Sequence, residues 1–203
     1  MPYNSIGMRT RDEQKEALVK EKAIELLVKH GFEGFSMQKL AKEAGISPAT
    51  LYIYYTDKDD LIKQLGMEIG TRFTEITLDG FSGKMSLREG LRKQWENRSK
   101  YILAHPMEAN AFEVIRHSPI GIELTKQTSS RMQQAMQEFA HNAIINGELK
   151  PMPIEVYWSI TYGPLYTLLK FHLDGRSIKG QPFELTNEVM YDALELVLKA
   201  LKP

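Results

Sequence analysis

After Arg9, almost every long segment of this 203-residue chain has the composition of an α-helix. Glu, Lys, Leu, Ala and Met dominate these segments, and short clusters of Gly, Pro, Ser and Asp separate them. No stretch shows the sustained alternation of apolar and polar residues, bounded by turns, that is typical of hairpin strands. The sequence therefore predicts an all-α fold.

Turn and capping residues divide the chain into about nine helices. The predicted ranges are 11–30, 37–44, 48–55, 58–80, 86–104, 107–117, 120–146, 153–173 and 186–201. Because no linker is long enough to separate independent domains, we expect a compact arrangement of two parts. These are a three-helix head with a helix-turn-helix over residues 1–57, and a helical bundle body over residues 58–203.

Composition excludes several classes of site. Cysteine is absent, which removes disulfides, thiolate metal ligands and cysteine nucleophiles. The apolar runs fall short of the roughly 18–20 residues that cross a bilayer, and the N-terminus lacks the apolar core of a secretory signal. We therefore expect a cytoplasmic protein with no membrane partner.

The segment from Ser36 to Tyr55 combines two short helices with a glycine turn. Ser36 caps the first helix, and Gly45 follows that helix at a position suited to positive φ. Ser47 and Pro48 then form a strong start signal for the second helix. Two short helices joined in this way have the helix-turn-helix geometry, which leaves the second helix free to enter a major groove.

The second of these helices exposes residues that a folded protein normally covers. Leu51 must face inward, and Tyr55 shares that face four residues later. The residues left outward or at the rim are Ala49, Thr50, Ile53 and Tyr54. Hydroxyl groups reach phosphates, and small apolar groups contact the methyl group of thymine. The alternative is a structural hairpin whose tyrosines pack against the body.

The run SMQKLAKEAGISPATLYIYYTDKDDLI, residues 36–62, resembles the N-terminal DNA-binding signature of the TetR/AcrR family of bacterial transcriptional regulators. That signature has a Ser- or Thr-initiated helix, an A-x-x-A-G turn, and a Ser before a short recognition helix. An aromatic-rich stretch follows, and then a Lys and an acidic residue, here Lys58 and Asp59. The resemblance covers about residues 15–66. It departs at Tyr55, where the family most often has Phe.

The resemblance implies a DNA-binding surface in which Ser47 to Tyr54 form the recognition helix. Gln38 is suited to a bidentate contact with adenine, and Lys58 to a phosphate contact at a helix N-terminus. For Lys58 the alternative is an ion pair with a neighbouring aspartate. The residues carried over are Met37, Gln38, Ser47, Pro48, Ala49, Thr50, Tyr52, Ile53, Tyr54 and Lys58.

Charge does not by itself favour binding to nucleic acid. The 26 basic and 26 acidic residues of the chain cancel. Residues 1–60 hold nine basic and ten acidic residues, a net charge of −1. Contact with phosphates therefore needs local clusters of cations. We expect these from Lys39 and Lys42 near the groove, and from an N-terminal arm with Arg9 and Arg11.

The last two predicted helices are apolar over most of their circumference. Such helices are buried on both sides, and a second copy of the same pair is the simplest cover. The resemblance implies the same arrangement, a homodimer formed through a four-helix bundle. The residues predicted at this interface are Trp158, Tyr162, Leu165, Leu169, His172, Met190, Leu194, Val197 and Leu201.

The resemblance also implies that the helices between head and interface enclose a small apolar effector, although apolar residues at helical spacing are by default core. The predicted pocket residues are Phe73, Trp95, Tyr101, Phe112, Ile115, Met136, Phe139 and Tyr166. In the expected two-state mechanism, the effector tilts the helix that begins at Lys58 and changes the spacing of the two heads.

Catalysis has little support in the sequence. Phosphate-loop, dinucleotide-binding, nucleophile-elbow and zinc-protease motifs are absent. The five histidines include no pair at i,i+3 or i,i+4, and neither a metal nor a cofactor is expected. We therefore predict a ligand-responsive repressor, not an enzyme, that binds a double-stranded, pseudo-palindromic operator as a dimer. A helical small-molecule carrier or enzyme, and a helical protein adaptor, stay open as alternatives.

Overall fold

A computed structural model describes residues 5–128 and 130–203, with side chains described over 13–124 and 130–203. Within these ranges the regular structure is helical, apart from one isolated bridge between Arg176 and Pro182. The predicted all-α class is confirmed. None of the described helices combines the length and hydropathy that a bilayer crossing requires.

The helices of the described residues are α1 (Ser5–Gly34), α2 (Met37–Glu43), α3 (Pro48–Tyr54), α4 (Lys58–Leu78), α5 (Leu87–Ala104), α6 (Pro106–Arg116), α7 (Gly121–Thr128), α8 (Ser130–Ile145), α9 (Ile154–Leu173) and α10 (Asn187–Leu201). The helix predicted over 120–146 corresponds to two helices, α7 and α8. Residue 129, between them, is not among the described residues. At Gly31, the predicted end of the first helix, a φ of 69° interrupts α1.

The chain forms two compact units. The head unit consists of the residues up to Thr71 together with Met107–Thr128. It therefore contains α1 to α3, the first part of α4, nearly all of α6, and α7. The body unit comprises Arg72–Pro106 and Ser129–Pro203. This is a division by compactness, and the functional boundary expected between residues 57 and 58 stays a prediction.

Each unit has its own apolar core. In the head unit, the most completely buried side chains come from every helix of the unit: Ala23, Leu27, Leu40, Leu51, Ile62, Ile115 and Leu124. In the body unit α9 packs against α5 and α10, and α8 packs against α5. Trp95 of α5 is fully buried there, and its Nε1 donates to the Thr161 carbonyl oxygen at 2.9 Å.

The packing of α8 on α5 depends on a missing side chain. A Cβ at Gly90 of α5 would overlap the ring of Phe139 on α8, and that ring is fully buried. Glycine therefore allows the close approach of these two helices, although glycine is less favourable than alanine inside a helix.

We expect Gly90→Ala to lower the free energy of unfolding by about 1–3 kcal/mol, because the buried ring has no space to move into. Thermal or urea denaturation measures this change. The double variant Gly90→Ala with Phe139→Leu should be less destabilised than the sum of the two single variants. Strict additivity would contradict the proposed overlap.

Candidate nucleic-acid interface

An exposed corner of the head unit is built from α2, a glycine turn and α3. The Ser36 hydroxyl accepts a hydrogen bond from the Lys39 amide at 3.2 Å and begins α2. After α2, Gly45 has a φ of 65°, a conformation that side chains rarely tolerate. The Ile46 amide then donates back to the Ala41 carbonyl at 3.0 Å, which closes the turn.

The recognition helix begins at a capped serine. The Ser47 hydroxyl accepts a hydrogen bond from the Thr50 amide at 3.2 Å and lies 2.9 Å from the Thr50 hydroxyl. Pro48 is the first residue of α3, where its missing N–H carries no penalty. The helix is seven residues long and ends where the Tyr55 amide donates to the Leu51 carbonyl at 2.9 Å.

The two faces of α3 differ sharply in exposure. Leu51 is fully buried, and Tyr55 is 4% exposed. On the other side Ile53 is 76% exposed and Tyr52 is 50% exposed. This is the predicted division of faces. Of the tyrosines that the structural alternative packs against the protein, Tyr55 is buried, whereas Tyr52 and Tyr54 stay accessible. The surface offered by α3 is apolar and aromatic, with hydroxyl groups at its edge.

Hydrogen bonds fix the corner between α3 and α4. One Asp60 carboxylate oxygen accepts from the Thr56 amide at 2.8 Å, and the other accepts from the Gln64 side chain at 2.9 Å. The Asp60 amide in turn donates to the Asp57 carboxylate at 2.9 Å. The hydrogen bonds from Gln64 and Thr56 hold the pKa of Asp60 below its usual value. This carboxyl group therefore stays ionised at neutral pH and keeps its acceptors in place.

Lys58, at the first position of α4, is half-exposed and has an aromatic neighbour. Its ammonium group lies 3.9 Å from the centroid of the Phe32 ring. A cation held over a ring face keeps donors available on its outer side. No carboxylate of the described residues forms an ion pair with this ammonium, so the predicted alternative of an aspartate partner is not observed. No local pattern in the sequence could indicate the Phe32 contact, because 26 residues separate Phe32 from Lys58.

The other predicted contact residues differ in their accessibility. Gln38, Ser47, Pro48, Ala49 and Tyr54 are exposed, and Thr50 is half-buried. Met37 is a correction to the predicted surface. Its side chain is 4% exposed, because it shares the inward face of α2 with the core residue Leu40.

The basic residues near this corner are few. The Lys39 ammonium donates to the Gly34 carbonyl at 2.8 Å, which ties it to the end of α1. Lys42 is exposed on α2. The side chains of Arg9 and Arg11, the expected arm, lie outside the described residues. The described part of the chain also contains no group of three His, Asp or Glu side chains placed to hold a metal ion.

The predicted pocket residues fall into both units. Phe112 and Ile115 pack in the core of the head unit. The other six belong to the body unit, where Trp95, Met136, Phe139 and Tyr166 join the apolar core and Phe73 packs edge-on against Tyr101 at 5.2 Å. Two clefts on the body unit, of about 230 and 460 Å³, are lined by other residues.

Most of the predicted interface residues are covered within a single chain. Tyr162, Leu165, Leu169, Met190, Leu194, Val197 and Leu201 are each 5% exposed or less. They fill the body core and have almost no surface left for a partner. Trp158 is 42% exposed, and half-buried His172 accepts a hydrogen bond from the Leu185 amide at 3.1 Å.

Other residues of α9 and α10 form the apolar surface that remains. On α10 an accessible stripe runs through Val189, Ala193, Leu196 and Ala200, at the spacing of one helix face. On α9 the residues at the same helical spacing that are also at least partly accessible are Val156, Ile160, Gly163 and Thr167. A Cβ added at Gly163 would meet no atom within 4 Å.

Known proteins resemble this chain in sequence and in fold. Residues 15–65 match the family model of bacterial regulatory proteins of the tetR family. The solved structure of a TetR family transcription regulator from Marinobacter aquaeolei VT8 is 31% identical, with a TM-score of 0.79, and the match covers 96% of this chain and 98% of that one. An uncharacterized HTH-type transcriptional regulator from Haemophilus influenzae is 23% identical over 177 residues, which are 87% of this chain and 90% of that protein.

A further solved structure supports the fold alone. It is a TetR-family transcriptional regulator from Haemophilus influenzae Rd, 20% identical, with a TM-score of 0.73 and a match that covers 95% of this chain and 99% of that one.

The cap at Ser47 allows stability and DNA binding to be separated. We expect Ser47→Ala to lower the free energy of unfolding by about 0.5–2 kcal/mol, because α3 loses its N-terminal acceptor. Ser47→Asp keeps an acceptor and should retain stability, but its negative charge should weaken binding to duplex DNA. Thermal denaturation and fluorescence anisotropy measure the two effects. Equal loss of stability in both variants would contradict the capping role.

Proposed function

The chain belongs to the TetR family of bacterial transcription regulators, and on this basis we propose that it is a ligand-responsive repressor that binds a pseudo-palindromic operator as a homodimer. DNA binding and transcription regulation come with membership of the family. The symmetry of the operator, the dimer and the response to a ligand are the proposal. The observation that carries it is the exposed face of α3.

That face is suited to reading base edges in a major groove. Ile53 is 76% exposed although it is among the most apolar side chains, and DNA would cover it. Ile53 and Ala49 supply groups that pack on thymine methyls, and the exposed Gln38 supplies an amide for adenine. Tyr52 is 50% exposed and supplies a hydroxyl that can donate to a phosphate oxygen.

Electrostatics supports specific binding more than general attraction to DNA. The residues before Asp60 carry no excess of positive charge. Among the described residues, Lys58 is the cation best suited to a phosphate, because it lies at the N-terminus of α4 next to the corner that Asp60 fixes. We expect the slope of affinity against salt to follow the number of phosphate contacts, which Lys58 and the expected arm of Arg9 and Arg11 would supply.

The proposed dimer rests on the apolar stripes of α9 and α10. These two helices pack against each other, and each leaves a row of small and apolar residues uncovered in the single chain. A second copy would place both pairs of stripes in a four-helix bundle. A two-fold interface of this kind presents two recognition helices, so the operator should be an inverted repeat.

Helix α4 is the expected route from ligand to operator. Its residues up to Thr71 belong to the head unit, and those from Arg72 onward belong to the body unit. The protein is proposed to have two conformations that differ in the position of α4. A ligand that binds one of them more tightly changes the fraction of molecules whose recognition helices have the spacing of the operator. The size of the response is limited by that difference in affinity.

Selection of duplexes from a random pool on the purified protein should yield an inverted repeat. Ile53→Ala should weaken binding to the selected duplex by about 5- to 30-fold, since each subunit of the dimer loses one apolar base contact. Ile178→Ala is the matched control, because Ile178 is 85% exposed in the loop before α10. A pool with no enriched motif at moderate salt would favour a carrier or an adaptor.

The dimer interface is tested at Leu196, which is 66% exposed at the centre of the α10 stripe. We expect Leu196→Glu to convert the dimer into a monomer, because each interface would then bury two unpaired carboxylates. Sedimentation equilibrium gives the mass, and circular dichroism confirms folding. Ile178→Glu should remain dimeric. A dimeric Leu196→Glu protein would place the interface elsewhere.

A further inference from the structure

Arg98 of α5 is a cation buried in the body unit. Its side chain is 1% exposed. Its Nε donates to the Gln94 side-chain oxygen at 3.2 Å, and its Nη1 donates to the Tyr166 hydroxyl at 2.6 Å. Nη2 lies 4.0 Å from the sulfur of Met132, a weak acceptor. Since a guanidinium group has five N–H donors, several of these hydrogens have no strong acceptor.

No negative charge compensates this cation within the described residues. The carboxylates there form no ion pair with Arg98, whose guanidinium instead faces the Tyr162 ring at 4.3 Å and the Phe73 and Trp158 rings at 5.3 Å. Burial raises the pKa of the Tyr162 hydroxyl, so this phenol stays neutral and supplies no charge. A guanidinium does not lose its proton in proteins. The cluster therefore holds a net positive charge away from water, an unfavourable state.

Two buried hydroxyl groups lie in the same part of the unit. The Tyr157 hydroxyl and the Thr161 hydroxyl, one turn apart on α9, make no hydrogen bond of normal geometry within the described residues. Tyr157 interacts electrostatically with both Arg98 and Tyr162. Burial raises the pKa of Tyr157 as well, so it keeps its proton. The cluster thus combines a cation with hydroxyl groups that lack a well-formed hydrogen bond, and the described residues supply it with no anionic acceptor.

We propose that this cluster is the ligand site of the body unit and that it binds a small organic monocarboxylate with an apolar alkyl or aryl body. The inference rests on the proposed function, because it assigns the chemical class of the effector. The carboxylate pairs with the guanidinium, whose forked donors match two oxygens. The apolar body packs among Phe73, Trp158 and the flexible Met132.

The site also contacts the helix through which a ligand response would travel. Phe73, one wall of the cluster, belongs to α4. A carboxylate that reorients Arg98 changes the support of this ring and therefore the end of α4. Met132 is partly exposed at the edge of the cluster and can move aside to admit the ligand.

Two acids and their neutral amides test the site on the full-length protein in the absence of DNA. Decanoate and 3-phenylpropanoate represent the alkyl and aryl bodies, and decanamide and 3-phenylpropanamide are their uncharged counterparts. We expect at least one acid to raise the melting temperature and to change tryptophan fluorescence, since Trp158 borders the site. Its amide should bind about tenfold more weakly or worse, because it lacks the charge.

Variants at Arg98 complete the test. Arg98→Met should abolish the response to the acid, and Arg98→Lys should weaken it because the fork is lost. Arg92→Met, on the exposed face of the same helix, should leave the response unchanged. An amide that binds as well as its acid, an absence of binding by both acids, or a full response in Arg98→Met would overturn the proposal. If Arg98→Met does not fold, the contrast between acid and amide in the wild-type protein decides.

Operator binding separates this inference from the proposed function. Arg98→Met should bind the selected duplex within about twofold of wild type, because distant sites act independently, while the acid no longer releases it. Failure of the wild-type protein to select any duplex would count against the repressor and leave the ligand measurement standing. Release of the duplex by the amides as readily as by the acids would overturn the carboxylate site alone.

Discussion

Burial of Leu51 determines what the rest of the head unit can present. This side chain is fully enclosed in the head core, and it fixes the rotation of a helix only seven residues long. With Leu51 inward, the helical period of about 3.6 residues turns Ile53 outward. The Ser47 cap and the Asp60 hydrogen bonds then hold the two ends of α3. Because the backbone of α3 is held at both ends, binding would not have to order this helix, which lowers the entropy cost.

The head carries no excess of positive charge, since residues 1–60 hold nine basic and ten acidic residues, and this balance has a consequence for selectivity. Proteins that rely on phosphate contacts bind any duplex, and their affinity falls steeply with salt. Here the exposed surface of α3 is apolar and aromatic, and the Lys58 ammonium makes a cation–π contact with the Phe32 ring. Contacts of this type depend on the identity of the base pair. Base contacts of this kind raise the ratio of specific to non-specific affinity, and that ratio sets how well a regulator competes with the other sites of a genome.

Local signals in the sequence predicted the framework of the head but not the exposure of every residue, and in the body they did not separate core from surface. Caps at Ser36 and Ser47, and the inward position of Leu51, follow from residues within a few positions of one another, and the structure has all three. Met37 was misplaced because a contact residue and a core residue at the start of a helix look alike in sequence. In α9 and α10 the apolar pattern was real, but it could not distinguish the core of one chain from a surface between two. Leu194 and Leu196 show this, since one is 3% and the other 66% exposed.

The buried guanidinium of Arg98 was invisible to sequence patterns, because an arginine on a helix is by default a solvated residue. Its environment comes from three helices that are far apart in the chain, with Phe73 on α4, Arg98 on α5 and Tyr162 on α9. A buried charge without a counter-ion is suited to a ligand-dependent switch, because its environment changes strongly when an anion binds. Burying a guanidinium without a carboxylate partner is unfavourable, so an anion that paired with Arg98 would gain more than its own contacts provide. Because Phe73 belongs to α4, part of the binding free energy of the anion can depend on the position of this helix. Only such a difference in affinity between two states shifts the equilibrium between them.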